Sequence, residues 1–336
     1  MKLTRRTLLV CATALGLTLP AGMTEALAQD KDLKKVTVRL AFNYNGHRSP
    51  YLLGVDKGFY EEEGLDVEVL EGKGVTSSMQ LVANKQDTFA IIDPPSLMLG
   101  AAQGMPLRIV AQLYQVSPNA VISWKEENIK KPADLVGKTV ATLQGDTTTT
   151  MLYALLARND VERNDVKIVA TDGGTRNQTF LAKRAAALTG FSNDSYLGMK
   201  ATTEDDVDYF MYSDFGIDTM GDALAANTDT IEEDPEMVAA FVKATLRSYA
   251  YALEHPEEAI DSLIKRSPTR DKDVAVEKLK ATAELMTSDV TEEHGIGYSD
   301  KARFEQTQEL MAEFGGLTKT VDDVSVYYTN DFLPKN

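Results

Sequence analysis

Hydrophobic positions along the chain fall into short runs that alternate with helical periodicities. In LDVEVL (65–70), Leu65, Val67 and Val69 alternate with Asp66 and Glu68, the period-two pattern of a half-buried strand. Before it, VTVRLAF (36–42) predicts a strand, and SPYLLGVDKG (49–58) a helix closed by Gly58. TSSMQLVANKQ predicts a helix with Thr76 or Ser77 as N-cap. TFAIID, PSLMLGAAQG and LRIVAQLY carry the alternation to Tyr114, and NAVISW adds a strand. After Pro132 the pattern restarts with strand KTVATL (138–143), helix TTTTMLYALLARND, strand VKIVAT and helix NQTFLAKRAAA. ALTGF and VDYFMYS predict further strands around SNDSYLGM. From Pro235 long amphipathic helices are predicted at 236–253, 256–265, 272–287 and 299–314.

Strands alternating with helices predict parallel α/β construction. Two such halves without a flexible linker leave two arrangements. The halves follow one another, or the second is inserted into the first, with NAVISW leading out and DALAANTDTI (222–231) leading back. Two crossing strands would make a hinge, and a hinge makes a cleft that can close.

The first residues change where such a protein is expected to work. A basic head (Lys2, Arg5, Arg6), an apolar run from Leu8 to Leu19 and Ala-Leu-Ala at 26–28 have the layout of an export signal. Cleavage is expected after Ala28, and Arg5-Arg6 suits either a twin-arginine or an ordinary secretory signal. Cys11 lies inside the apolar run and is a poor site for lipid attachment. Removing 1–28 leaves 308 residues without cysteine, holding 32 basic and 50 acidic residues, a formal charge of −18. No disulfide can form, and the acidic balance without a basic stripe argues against nucleic acid and anionic lipid.

The motifs together resemble the ABC-importer substrate-binding proteins for nitrate, sulfonates, taurine and thiamine precursors. DKGFYEEEGLDVEV (56–69) is similar to that family's opening signature, and AAQGMPLRIVAQL to its small-residue helix, Gly-Pro and strand. KKPADLVGKTVATLQGDTTTTMLYALLARNDV resembles the entry into its second lobe, and EEDPEMVAAFVKATLRSYAYALEHPEEAI its long return helix. The similarity runs from about Val36 to Ile264. Two departures stand out. NKQDTFAIID lacks a glycine usual before Asp-Phe, and segment 190–216 is closer to pyrimidine- and flavin-type members than to sulfonate binders. The resemblance implies an α/β fold of the two-lobed periplasmic-binding-protein type II architecture, with two doubly wound sheets, an interlobe cleft and a helical C-terminal region. It favours the insertion topology: lobe 1 at 29–120, lobe 2 at 121–222, and a return to lobe 1 with the C-terminal helices at 223–336. It also implies a periplasmic monomer without cofactor, whose partners are a small-molecule ligand and an inner-membrane ABC permease.

In open α/β sheets ligands sit beyond the carboxyl ends of strands, near helix N-termini. That rule selects loops. NYNGHRSPY (43–51) offers Asn43, Tyr44, Asn45, His47 and Arg48 to a ligand; alternatively it is a turn made by Asn-Gly with Ser49 capping the next helix. Thr76 and Ser77 either meet ligand or only cap. Asp93 accepts from a ligand amine or caps the helix it opens, and Tyr114 stacks on a ring or packs in the core. In the second half Gly145, Asp146 and Thr147 stand at a helix start, with Asp146 as contact, cap or both. Phe191, Asn193, Asp194 and Tyr196 follow the same logic, and Asp214 with Phe215 lies near the return crossing.

These loops hold the carboxylates Asp93, Asp194 and Asp214 and several aromatic rings, with His47 and Arg48 as their basic groups. An oxyanion would meet an unhelpful field there, whereas a flat nitrogen heterocycle would meet acceptors and stacking faces. The expectation is therefore a pyrimidine, thiamine-precursor or flavin ligand, with a sulfonate, taurine or nitrate ligand as the alternative. Two rival classes remain. One is a sensor subunit serving a membrane receptor. The other is an enzyme similar to the eukaryotic pyrimidine synthases of this fold, which use a cysteine cluster and consume a histidine. A cysteine-free mature chain with scattered His47, His255 and His294 argues for a non-enzyme.

Overall fold

Among the described residues, ten strands build two five-stranded sheets. The computed structural model describes residues 32–144, 146–204 and 206–335; the expected export segment 1–28 and Gly145 lie outside them. The first stretch runs β1 (Lys34–Arg39), α1 (Ser49–Asp56), α2 (Phe59–Glu62), β2 (Leu65–Leu70), α3 (Val75–Ala83), β3 (Phe89–Ile92), α4 (Pro94–Ala102) and β4 (Leu107–Gln112). The second runs β5 (Asn119–Trp124), β6 (Thr139–Leu143), α5 (Thr147–Arg158), β7 (Lys167–Thr171), α6 (Gly173–Leu181), β8 (Ala187–Phe191), α7 (Leu197–Thr202) and β9 (Val207–Met211). The chain closes with β10 (Ala223–Asn227), α8 (Thr228–Glu233), α9 (Pro235–Glu254) and α10 (Pro256–Arg266). α11 (Lys272–Met286), α12 (Asp289–His294) and α13 (Lys301–Glu313) follow.

The strand orders are β2-β1-β3-β10-β4 and β7-β6-β8-β5-β9. The second sheet is thus made wholly from the segment between β4 and β10. The sheets are mixed rather than all parallel. β10 runs antiparallel to β3 and β4, and β5 antiparallel to β8 and β9. In each sheet the odd strand is the one by which the chain arrives from the other half. The two connections lie side by side: Tyr114 N–H donates to the Asp222 carbonyl at 2.9 Å, and Ser117 N–H to the Thr219 carbonyl at 2.9 Å.

Alternation fills both faces of the first sheet. Val38, Leu40, Phe89, Ile91 and Leu224 pack with α9 and α10 residues such as Phe241 and Ile260. Ala90, Ile92, Ile109 and Ala225 turn the other way, towards Met79, Leu97 and Phe304. β2, at the edge of this sheet, is the predicted half-buried strand, with Leu65, Val67 and Val69 buried and Asp66 and Glu68 exposed. The carboxyl ends of β1 and β3 and those of β6 and β8 deliver the loops of the site.

Candidate functional site

The loop after β1 becomes a 3-10 turn at Gly46–Arg48. Gly46 is required there because a Cβ would meet the Ala275 carbonyl oxygen of α11 at 2.2 Å. Arg48 is 2 % exposed, and its Nε and Nη2 donate to Asp222 Oδ2 at 3.1 and 2.8 Å. Burial opposes its charge, but Asp222 more than restores it and raises its pKa. This pair ties the loop to the start of β10. His47 beside it is 1 % exposed. Burial, aided by the Arg48 charge, pulls its imidazole down to about 4, so it is neutral at pH 7. Neither ring nitrogen has a hydrogen-bond partner among the described residues.

Across from this loop, β6 feeds α5 through Asp146. Its carboxylate caps the helix, accepting from Thr148 N–H at 3.4 Å and Thr148 Oγ1 at 2.7 Å, while burial raises its pKa. Asp93 caps α4 likewise, accepting from Ser96 N–H and Oγ, both at 2.9 Å. Ser96 Oγ also bonds Thr147 Oγ1, which links the starts of α4 and α5 across the two sheets. β8 ends in Phe191 and a single π-helical turn, Ser192–Tyr196. Asp194 leaves that turn to meet Lys278 Nζ of α11 at 2.9 Å, with His47 Nδ1 at 3.8 Å. Burial works against its ionisation, but Lys278 and then His47 hold its pKa below the usual carboxylate range.

Between these loops lies a cavity of about 420 Å³. Of the sequence-predicted residues, Asn43, Asn45, His47, Arg48, Asp146, Phe191 and Asp194 line it. Asp93 and Thr147 face a much smaller adjoining space with Asp146 and Phe191. Gly145 lies outside the described residues.

The remaining expectations are corrected. Tyr44 turns back, donating its hydroxyl to the Val69 carbonyl at 2.6 Å. α3 starts at Val75 with Gly74 at its cap, so Thr76 and Ser77 neither cap it nor line the cavity; Val75 turns inward and Thr76 outward. Tyr114 is fully buried behind the site, its hydroxyl donating to the His47 carbonyl at 3.4 Å. Asn193 points at α11, donating to Thr282 Oγ1 at 3.2 Å. Tyr196 packs on Tyr209 with ring centroids 4.3 Å apart. Asp214 is exposed and accepts from Met211 N–H at 2.9 Å, while Phe215 packs on Phe210.

The cavity also contains residues that sequence reasoning missed: Arg176, Asn177, Ser195, Arg270, Lys278 and the glycines opening α6. TDGGTRN follows a strand end, so the rule that chose the other loops could have chosen it. Lys278 carries no such signal, because α11 reaches the cleft only through tertiary packing. These additions overturn the premise that the site's basic groups are His47 and Arg48. His47 is neutral, and three further cations stand on the wall.

Two mixed α/β sheets joined by paired connections, with a polar cavity between their strand ends, define a two-lobed periplasmic-binding-protein fold. The chain matches the family described as NMT1/THI5 like over residues 45–259, and it belongs to that family. It is 26% identical over 310 residues to the riboflavin-binding protein RibY of Chloroflexus aurantiacus, covering 90% of this chain and 87% of that one. It is 29% identical over 252 residues to a formylaminopyrimidine-binding protein of Halalkalibacterium halodurans, covering 73% and 74%. A 4-amino-5-hydroxymethyl-2-methylpyrimidine phosphate synthase of Legionella pneumophila is 25% identical over 241 residues, covering 70% and 74%. Among solved structures, the aliphatic sulphonate binding protein SsuA of Escherichia coli superposes with a TM-score of 0.68 at 14% identity, covering 89% and 99%. The nitrate-binding protein NrtA of Synechocystis PCC 6803 gives 0.67 at 15%, covering 90% and 87%. No helix among the described residues is long and apolar enough to cross a membrane.

Proposed function

We propose that this chain is the extracytoplasmic solute-binding subunit of an ABC importer and that it holds a planar nitrogen heterocycle, of the pyrimidine or flavin kind, between its lobes. The observation that carries this reading is a set of unmet polar atoms at the cavity. Among the described residues, both nitrogens of the neutral His47 ring and Oδ1 of Asn45 are buried without hydrogen-bond partners, and buried polar groups are rarely left so. A neutral imidazole donates at one nitrogen and accepts at the other, which suits the mixed donor and acceptor edge of a heterocycle. Asp194 adds a charged acceptor, and the Phe191 and Phe42 side chains add apolar faces. The riboflavin and formylaminopyrimidine binders among the relatives support the same ligand class.

Export through the signal at 1–28, a second lobe spanning 121–222, a monomeric state and delivery to a membrane permease belong to this proposal. The synthase among the relatives favours an enzyme. Against it stand the single cysteine of the whole chain, Cys11, which lies within the expected signal, and a buried His47 already committed to the cavity wall. Mass spectrometry of small molecules released by denaturing the purified protein tests the reading. A pyrimidine or isoalloxazine ring is the expected species; an aliphatic sulfonate or nitrate would contradict it.

A further inference from the structure

Four cationic side chains reach the wall of the large cavity: Arg48, Arg176, Arg270 and Lys278. Two are answered at ion-pair distance, Arg48 by Asp222 at 2.8 Å and Lys278 by Asp194 at 2.9 Å. Among the described residues, no carboxylate stands within 4.0 Å of Arg176 or Arg270.

Arg176 is 7 % exposed. Its guanidinium is held by neutral acceptors: Nη1 donates to the Thr189 carbonyl at 2.8 Å, and Nη2 and Nε to Asn177 Oδ1 at 3.0 and 3.1 Å. Asp146 and Asp194 act on it only from beyond ion-pair distance, and Thr148 and Lys278 already engage them. A buried charge without a counter-charge is unfavourable unless something else supplies one. Here the open side of that charge is the cavity.

The start of α6 points the same way. Gly173 and Gly174 line the cavity one turn before Arg176. Neither glycine is demanded by the fold. A Cβ at Gly173 would come no nearer than 3.7 Å to Leu143 Cδ2, and one at Gly174 no nearer than 3.4 Å to Asp172 Oδ1. What the two glycines do provide is bare backbone that leaves the cavity open beside Arg176. The helix end itself is capped by Asp172, which accepts from Thr175 N–H at 2.9 Å and Thr175 Oγ1 at 2.7 Å, so the charge offered to an anion is that of Arg176 and Arg270.

We propose that the α6 end of the cavity, with Arg176 at its core and Arg270 at its rim, holds an oxyanion arm of the ligand, a phosphate or carboxylate carried on the heterocycle. The proposal rests on the reading of the cleft given above and adds a charge to its ligand. The heterocycle edge then faces His47 and Asp194, and the arm reaches Arg176. Arg48 and Lys278, each already paired, position loops and do not supply the charge.

Calorimetric titration of the full chain tests this with matched pairs: 4-amino-5-hydroxymethyl-2-methylpyrimidine against its phosphate, and riboflavin against its 5′-phosphate. Inorganic phosphate and taurine complete the panel. In one pair the phosphorylated member should bind about ten- to a hundredfold more tightly. That advantage should fall to about threefold or less in Arg176→Gln and shrink in Arg270→Gln, if a charge-assisted contact carries it. If Arg176→Gln does not fold, the wild-type ratio and the exposed Arg270→Gln decide. Equal or tighter binding of the unphosphorylated members, or a ratio that survives Arg176→Gln, would overturn the oxyanion arm and leave the heterocycle reading standing. Arg176-dependent binding of taurine or inorganic phosphate with no response to any heterocycle would do the reverse.

Discussion

Lys278 Nζ stands 2.9 Å from Asp194 Oδ1, joining the C-terminal helix α11 to the turn after β8 on the opposite sheet. The pair is partly buried, with the side chains 17% and 26% exposed. The folded pKa of Asp194 lies below its ordinary value. Its stabilisation is therefore fully present above the ordinary carboxylate range and is lost only as pH falls from there towards the depressed folded value. Asp194→Asn should lower stability at pH 7 and cost progressively less as pH drops below about 4. Paired denaturant titrations at pH 7 and pH 3 check this; a pH-independent difference would show that the ion pair does not stabilise the fold.

Asp93 has the opposite sign. Burial pushes its carboxyl up to about 7, with Ser96 partly opposing the shift. Its folded pKa exceeds the unfolded value, so the folded state keeps a proton that the unfolded chain has lost. Stability from this group falls as pH rises from about 4 to about 7 and is level above that. Asp93→Asn should flatten this part of the profile, read as melting temperature between pH 4.5 and 8. An unchanged profile would mean that Asp93 is ionised in the fold.

Arg48 and Asp222 make a buried pair that fixes the β1 loop against the return strand. Asp222→Ala leaves the guanidinium buried without its partner and should cost about 3–5 kcal/mol, measured by urea unfolding. Replacing both residues, as Arg48→Met with Asp222→Leu, should cost less than the single change. A loss under about 1 kcal/mol for Asp222→Ala would mean that water reaches the guanidinium.

Two aspartates separate the site from its surroundings. Asp194 lines the cavity, whereas Asp214 is exposed and accepts from Met211 N–H at the end of β9. Asp194→Ala should weaken the heterocycle by about ten- to a hundredfold, the usual loss for a charged acceptor. Asp214→Ala should leave binding unchanged. Equal effects would place the ligand elsewhere.

Much of this fold is legible from periodicity. Alternation in 65–70 marks a strand with one buried face, and the four tail helices fall within about two residues of α9, α10, α11 and α13. The antiparallel β5 and β10 are not legible, because a strand buried on both faces reads the same in either direction. The site is half legible for a similar reason. The strand-end rule reaches the correct loops, but not the direction of each side chain within them. In the π-helical turn 192–196, successive residues point to different sides: Asp194 into the cavity, Asn193 at α11, Tyr196 onto Tyr209. Lys278 and Arg270 come from a distant part of the chain, and only packing of the C-terminal helices brings them to the cleft.

The most direct test of the central claim is calorimetric titration of the signal-free wild-type protein with riboflavin, 4-amino-5-hydroxymethyl-2-methylpyrimidine, taurine and nitrate. The cleft described here predicts saturable binding of a heterocycle at one site per chain, with a Kd of about 10 μM or tighter, a free energy of about −7 kcal/mol or stronger. It predicts no comparable heat from taurine or nitrate. Saturation by taurine or nitrate, with neither heterocycle able to compete, would contradict the account.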